Sequence, residues 1–195
     1  MLRAAFAMGV DPGFATMGLT LVQLNRDPMY DEVLTLQVFR TQKSSKKQKV
    51  LAADDNVRRC RELVRYTRPW IKEQGGAELV VICAEAMSFP RSSSAAAKVA
   101  MAWGMITTFA ELHNLPILQA SPKEIKKATT GRTSATKEEV EEALQIKYRM
   151  KPKDKVVSEF YRSVPKSARE HAWDALGSVV ACQESETVRL ARKML

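Results

Sequence analysis

The chain has 195 residues, a formal charge of +9, a pI near 9.6 and 45% hydrophobic residues, which suits one domain with a full core and excludes a disordered polyelectrolyte. Apolar runs fall short of the roughly 20 residues that span a bilayer, and Asp11 interrupts the first of them too early for a signal peptide. Cys60, Cys83 and Cys182 are odd in number and lack metal-like spacing, and Cys83 and Cys182 sit in apolar runs, so these two are expected to be reduced core thiols of an intracellular protein. The basic balance favours a polyanionic partner such as nucleic acid without establishing one.

Ala4 to Val10 is an apolar run that reads as a short buried strand. Asp11 follows it, and Pro12-Gly13 ends it with a turn. Thr16 to Leu24 reads as a second strand and Glu32 to Arg40 as a third, the pair separated by a polar turn with Pro28 and Asp31. Short connections between three successive strands predict an antiparallel meander. Thr41 to Lys49 is polar and basic, either a solvated loop or a phosphate-contacting one. Val50 to Gln74 carries apolar residues at helical spacing, with Pro69-Trp70 weakening its last turn and Gly75-Gly76 ending it.

Glu78 to Ala84 is too continuously apolar to have a solvent face, and reads as a central strand covered on both sides. Glu85 stands where it stops. Ser92 to His113 reads as a buried helix, Leu115 to Gln119 as a fifth strand and Pro122 to Thr130 as a short helix. Thr136 opens a further helix to about Tyr148, with Glu139 completing a capping box. Lys147 to Pro165, with its lysines and two prolines, is expected to be an exposed insertion in a single domain spanning 1–195. From Ser167 to Met194 the pattern predicts one helix with a basic end at Arg189, Arg192 and Lys193.

Asp11 and Glu85 are carboxylates at the ends of two strands. His171 and Asp174 stand three apart on the last helix, and so share a face. Each alone has an ordinary structural explanation as a turn, cap or surface residue. Gathered at one point, three carboxylates would repel unless a divalent cation neutralised them. Oxygen-rich ligands suit Mg²⁺ or Mn²⁺, and two such ions about 3.5–4 Å apart can clamp a phosphoryl displacement. The acids and the basic surface jointly point to a metal-dependent nuclease.

Gly9-Val10-Asp11-Pro12-Gly13, Thr16-Met17-Gly18, the Val80 to Glu85 strand end, Ser94 to Met105, Lys123 to Lys137 and His171-Ala172-Trp173-Asp174-Ala175-Leu176 together resemble the RuvC family of Holliday junction resolvases, within the ribonuclease H-like superfamily. The resemblance runs in order over nearly the whole chain. It implies an α/β fold with a five-stranded mixed sheet flanked by helices, and a homodimer that nicks opposed strands of a four-way DNA junction, leaving 5′-phosphate and 3′-hydroxyl ends. It places Asp11, Glu85, His171 and Asp174 at metal positions holding Mg²⁺, with Mn²⁺ able to substitute and two ions per site. His171 departs from the Asp that many members carry.

The same resemblance gives Lys126 and Lys137 a role at the scissile phosphate, where an ammonium stabilises developing charge. It gives Phe89 a stacking role on unpaired bases, although packing in the core is an equal alternative. Arg91, Lys123, Lys127 and Arg132 are expected DNA contacts. It also puts the dimer contact on the Ser92 to His113 helix. Two other readings stay open: a nuclease acting more broadly on branched DNA or on RNA–DNA hybrids, and a junction-binding protein without catalysis.

Overall fold

The structure is a computed structural model that describes residues 4–73 (without the Lys46 side chain), 78–87 and 90–195. The expected helix stop at Gly75-Gly76 and the aromatic Phe89 lie outside the described residues. Five strands, β1 (Ala5–Asp11), β2 (Thr16–Leu24), β3 (Glu32–Arg40), β4 (Leu79–Glu85) and β5 (Ile117–Ala120), form one sheet in the order β3-β2-β1-β4-β5. β1, β2 and β3 pair antiparallel as the meander predicts, whereas β4 and β5 join parallel to β1. Both faces are covered, which is why β1 and β4 read as unbroken apolar runs.

Strand alternation divides the core into two. Ala5, Ala7, Val81 and Cys83 face one layer; Met8, Val10, Ile82 and Ala84 face the other. The second layer is built by α1 (Ala52–Glu73) and α2 (Ser93–Leu112). α1 runs through Pro69, which withdraws one backbone donor. Trp70 and Ile71 beyond it are buried against the sheet, and this burial carries the helix past the break.

The first layer contains α3 (Pro122–Thr130), α4 (Lys137–Lys147), α5 (Lys155–Ser163), α6 (Arg169–Cys182) and α7 (Glu186–Lys193). α3 and α4 both open with complete capping boxes, Ser121 with Glu124 and Thr136 with Glu139. Here the structure corrects two expectations. Residues 147–165 are not an exposed insertion throughout, because Val157, Phe160 and Val164 are buried, and Phe160 packs edge-on against Trp173 with ring centroids 5.9 Å apart. Spacing of three and four residues gives α5 a narrow apolar stripe amid lysines. The C-terminal helix is also not continuous. Ser185 caps a new helix by accepting from the Val188 amide, so α6 ends at Cys182 and α7 turns away.

That turn lets Arg192 reach inward. Its guanidinium makes a two-pronged ion pair with Asp31, both contacts 2.6 Å, and also donates to the Asn25 carbonyl. Arg192 therefore belongs to the interior and not to a basic surface patch. The pair ties the last helix to the β2–β3 turn at the sheet end opposite Asp11 and Glu85.

Candidate active site

Asp11 and Glu85 close the odd-numbered faces of β1 and β4, after Ala5, Ala7 and Gly9 on one strand and Val81 and Cys83 on the other. Val10 pairs with Ala84, so the two acids end neighbouring parallel strands. Alternation thus directs both carboxylates toward the layer that holds α6. The distance of that helix is set by two glycines. A Cβ on Gly9 would stand 2.1 Å from the Ala175 carbonyl oxygen, and one on Gly18 would stand 1.8 Å from that of His171. Only glycine allows backbone to lie on backbone this closely, and His171 and Asp174 are carried to the sheet end as a result.

The imidazole of His171 meets Asp11 at 2.5 Å, Nδ1 to Oδ2. This bond, helped by the charge of Asp11 and opposed by burial, raises the His171 pKa. Glu85 is pushed up to about 7 by burial first, then by the negative charges of Asp11 and Asp174. Burial likewise raises Asp174, against the pull of Lys137. The Lys137 ammonium lies 2.6 Å from Glu170 and 3.4 Å from Asp174. Burial opposes its charge, but the bond to Glu170 and the charge of Asp174 outweigh this and raise its pKa. Glu170 is held below the usual carboxylate range chiefly by its bond to Lys137.

The structure thus brings Asp11, Glu85, His171, Asp174 and Lys137 together at one end of the sheet, and adds Glu170, which sequence reasoning missed. Its position directly before His171, one turn short of Asp174, was the available signal. Lys126 is half-buried on α3, while Lys123 and Lys127 are exposed on the same helix. Arg132 is committed to Glu139 at 2.6 Å. Arg91 is exposed at the foot of α2.

Among the described residues, no three His, Cys, Asp or Glu side chains stand at the spacing of a formed metal cage. Asp11 is bonded to His171, and Lys137 covers Asp174, so a cation would take the place of these contacts. The donor chemistry fits one. Three half-buried carboxylates share a site in which burial first and their mutual repulsion second raise the pKa of Glu85, and a hard divalent cation relieves that repulsion directly.

Comparison with known proteins bears on the chain as a whole. Curated relatives from Pseudothermotoga lettingae and Moorella thermoacetica, both named crossover junction endodeoxyribonuclease RuvC, are 27% and 28% identical over 145 and 138 residues, or 73% and 71% of this chain and 80% and 74% of theirs. Among solved structures, Thermus thermophilus RuvC in complex with a Holliday junction substrate superposes with a TM-score of 0.63 at 22% identity, covering 96% of this chain and 97% of that one. The yeast mitochondrial Holliday junction resolvase Ydc2 gives 0.60 at 12% identity, covering 100% and 84%. These last two likenesses concern the fold. The family model described as crossover junction endodeoxyribonuclease RuvC matches residues 7–158, well over half of the sequence, and the chain belongs to that family.

Proposed function

We propose that the protein resolves four-way DNA junctions with a site made of Asp11, Glu85, His171 and Asp174, served by Lys137. The reading is supported most by the in-register placement of Asp11 and Glu85 under a helix that presents His171 and Asp174. When bound, a pair of Mg²⁺ or Mn²⁺ ions supplies Lewis acidity to the scissile phosphate and to the attacking water.

The protein's own residues do the rest. The three carboxylates and His171 hold the ions in place of the Asp11–His171 and Lys137–Asp174 contacts, and Glu170 keeps the Lys137 ammonium at the rim of the site. From there Lys137 offers positive charge to the phosphate oxygens as the reaction charges them. Lys126, half-buried on α3, is the second candidate lysine for the scissile phosphate, and Lys123, Lys127, Arg91 and Arg132 contact the phosphates of the arms. Phe89 stacks on unpaired bases at the crossover.

Symmetric nicking calls for two copies of this chain. The exposed side of α2 offers Met101, Met105 and Leu112 beside an apolar groove, and a second copy packed there would present two sites to one junction. The protein acts where DNA is, inside the cell. No helix among the described residues is long and apolar enough to cross a membrane.

The test is cleavage of labelled four-way junction, duplex and RNA–DNA hybrid, with Mg²⁺, Mn²⁺ or chelator. Paired nicks near the crossover are expected on the junction alone, and only with metal. Asp11→Asn is expected to bind the junction and cut it at least about 100-fold more slowly. Undiminished cleavage by this variant would remove Asp11 from the site, and equal cutting of the hybrid would change the substrate.

A further inference from the structure

A second charged cleft lies at the same end of the sheet. β3 ends at Arg40, which pairs with Thr16 beside the β1–β2 turn, and β4 ends at Glu85 before the chain enters α2. The β3–α1 loop and the start of α2 therefore meet at the end of the sheet where Asp11 and Glu85 stand. Between them is a cleft of about 320 Å³, and its cationic walls are Lys43, Lys49 and Lys98, with Ser44, Ser45 and Ser94 among its hydroxyls. Among the described residues, none of these three ammoniums forms an ion pair.

Hydrogen bonds to α1 and to the core pin the backbone of the loop that carries Lys43 and Lys49. Asp55, in the first turn of α1, accepts from both the amide (3.1 Å) and the hydroxyl (2.6 Å) of Ser44, and Arg58 donates to the Gln42 carbonyl at 2.6 Å. Arg58 also caps Asp55 itself at 2.7 Å, so the one acid lining the cleft is already neutralised by a partner outside it. Ser45 and Gln48 close a short turn by a reciprocal cap, and Lys49 leaves that turn with φ 47°. On the facing wall, Lys98 donates to Ser94, one turn earlier on α2, whose first turn carries no acid. The Thr41 hydroxyl, which accepts from buried Arg59 at 2.9 Å, pins the root of the loop to the core by donating to the Phe14 carbonyl.

We infer that this cleft is a phosphodiester-binding subsite that grips the backbone of a DNA arm away from the scissile bond. Three positive charges with converging hydroxyls and no free carboxylate form a receptor for one or two phosphate groups, and its position puts it on the same bound molecule as the catalytic acids. It reads backbone and no base, so it adds affinity and fixes the angle of the arm without adding sequence preference. The inference rests on the proposal that the protein binds four-way junctions.

The experiment is fluorescence anisotropy of a labelled four-way junction with full-length protein in chelator, from low to high salt. Lys43→Gln, Lys49→Asn and Lys98→Gln are combined in one variant. A matched control combines Arg26→Gln, Lys72→Gln and Lys193→Gln, which removes the same charge at the other end of the sheet. Loss of the subsite is expected to flatten the dependence of log affinity on log salt by about 1 to 2 per protomer and to weaken binding, while the control stays within a few tenths of wild type. Cleavage at saturating junction is expected to keep its rate. An unchanged slope in the cleft variant, or an equal change in the control, would overturn the subsite. Wild-type cleavage of the same junction with Mg²⁺ reports on the nuclease reading independently.

Discussion

The two sides of the sheet are built to different tolerances. On one side α6 lies with its carbonyl oxygens against Gly9 and Gly18, and Trp173, Phe160, Leu144 and Leu176 are fully enclosed. On the other, α1 and α2 leave between them a groove of about 840 Å³ lined by Met17, Cys60, Val64, Met101, Met105 and Phe109. The tight side carries all of the candidate catalytic groups, with His171 and Asp174 on α6, Lys137 on α4, and Asp11 and Glu85 on the strand faces turned toward it, and there a displacement of one ångström can cost about 100-fold. The open side carries none of them. Methionines along an open groove suit a surface that adapts to another surface, and fixed backbone contacts suit a surface that must not move.

Substitutions can break this contrast or sharpen it. Phe160→Ala, which empties the space beside Trp173, is expected to cost about 3–5 kcal/mol and to lower the melting temperature by roughly 10 °C. A loss below about 1 kcal/mol in chemical denaturation would show that α5 is not part of the tight layer. Gly18→Ala forces a methyl group into the His171 carbonyl and is expected to cost about 3 kcal/mol. Cleavage should fall at least about 100-fold even at temperatures where the variant remains folded by circular dichroism, because α6 can relieve the clash only by moving His171 and Asp174 away from Asp11.

The same substitution on the open side has the opposite sign. Gly104, inside α2, has open space around its would-be Cβ, and Gly104→Ala should stabilise the protein by roughly 0.5–1 kcal/mol through helix propensity. A destabilised Gly104→Ala would mean that the groove is more closely packed than its geometry indicates. The smallest effect is expected at acid pH. Asp55, at the open side's loop anchor, is lowered from 3.8 to about 2 by its bonds to Ser44 and then Arg58. Its stabilising contribution is complete above about pH 4 and drains away as the pH falls toward 2. Asp55→Asn should therefore flatten this part of the stability–pH curve, measured by thermal melts from pH 5 to 2; identical slopes would remove Asp55 as an anchor.

Much of the fold was legible because its signals are local. Continuous apolar strands ending in Asp11 and Glu85, a polar loop before a long amphipathic helix, and the capping box at Thr136 each declare themselves within a few residues. Four candidate ligands were legible one by one, and their convergence followed from strand ends and a helix face. What stayed hidden depends on distant partners. Arg192 reads as a basic tail until Asp31, 161 residues earlier, is known to be buried beside it. Glu170 reads as a helix-start acid until Lys137 arrives from α4. The stripe of α5 is masked by surrounding lysines, and Ser185 reads as one more residue of a helix until its side chain is seen to cap the next.

The two glycines have one more consequence. Side chains between packed elements act as shims: each can rotate, be exchanged for another of similar volume, or yield under load. Where a carbonyl oxygen rests on an α-carbon there is no shim to adjust, and the offset between α6 and the strands becomes a property of the main chain. Divergence can then rewrite the outer helices and loops of this protein freely, as long as those two seats stay bare, and His171 and Asp174 will still arrive at the same height above Asp11 and Glu85.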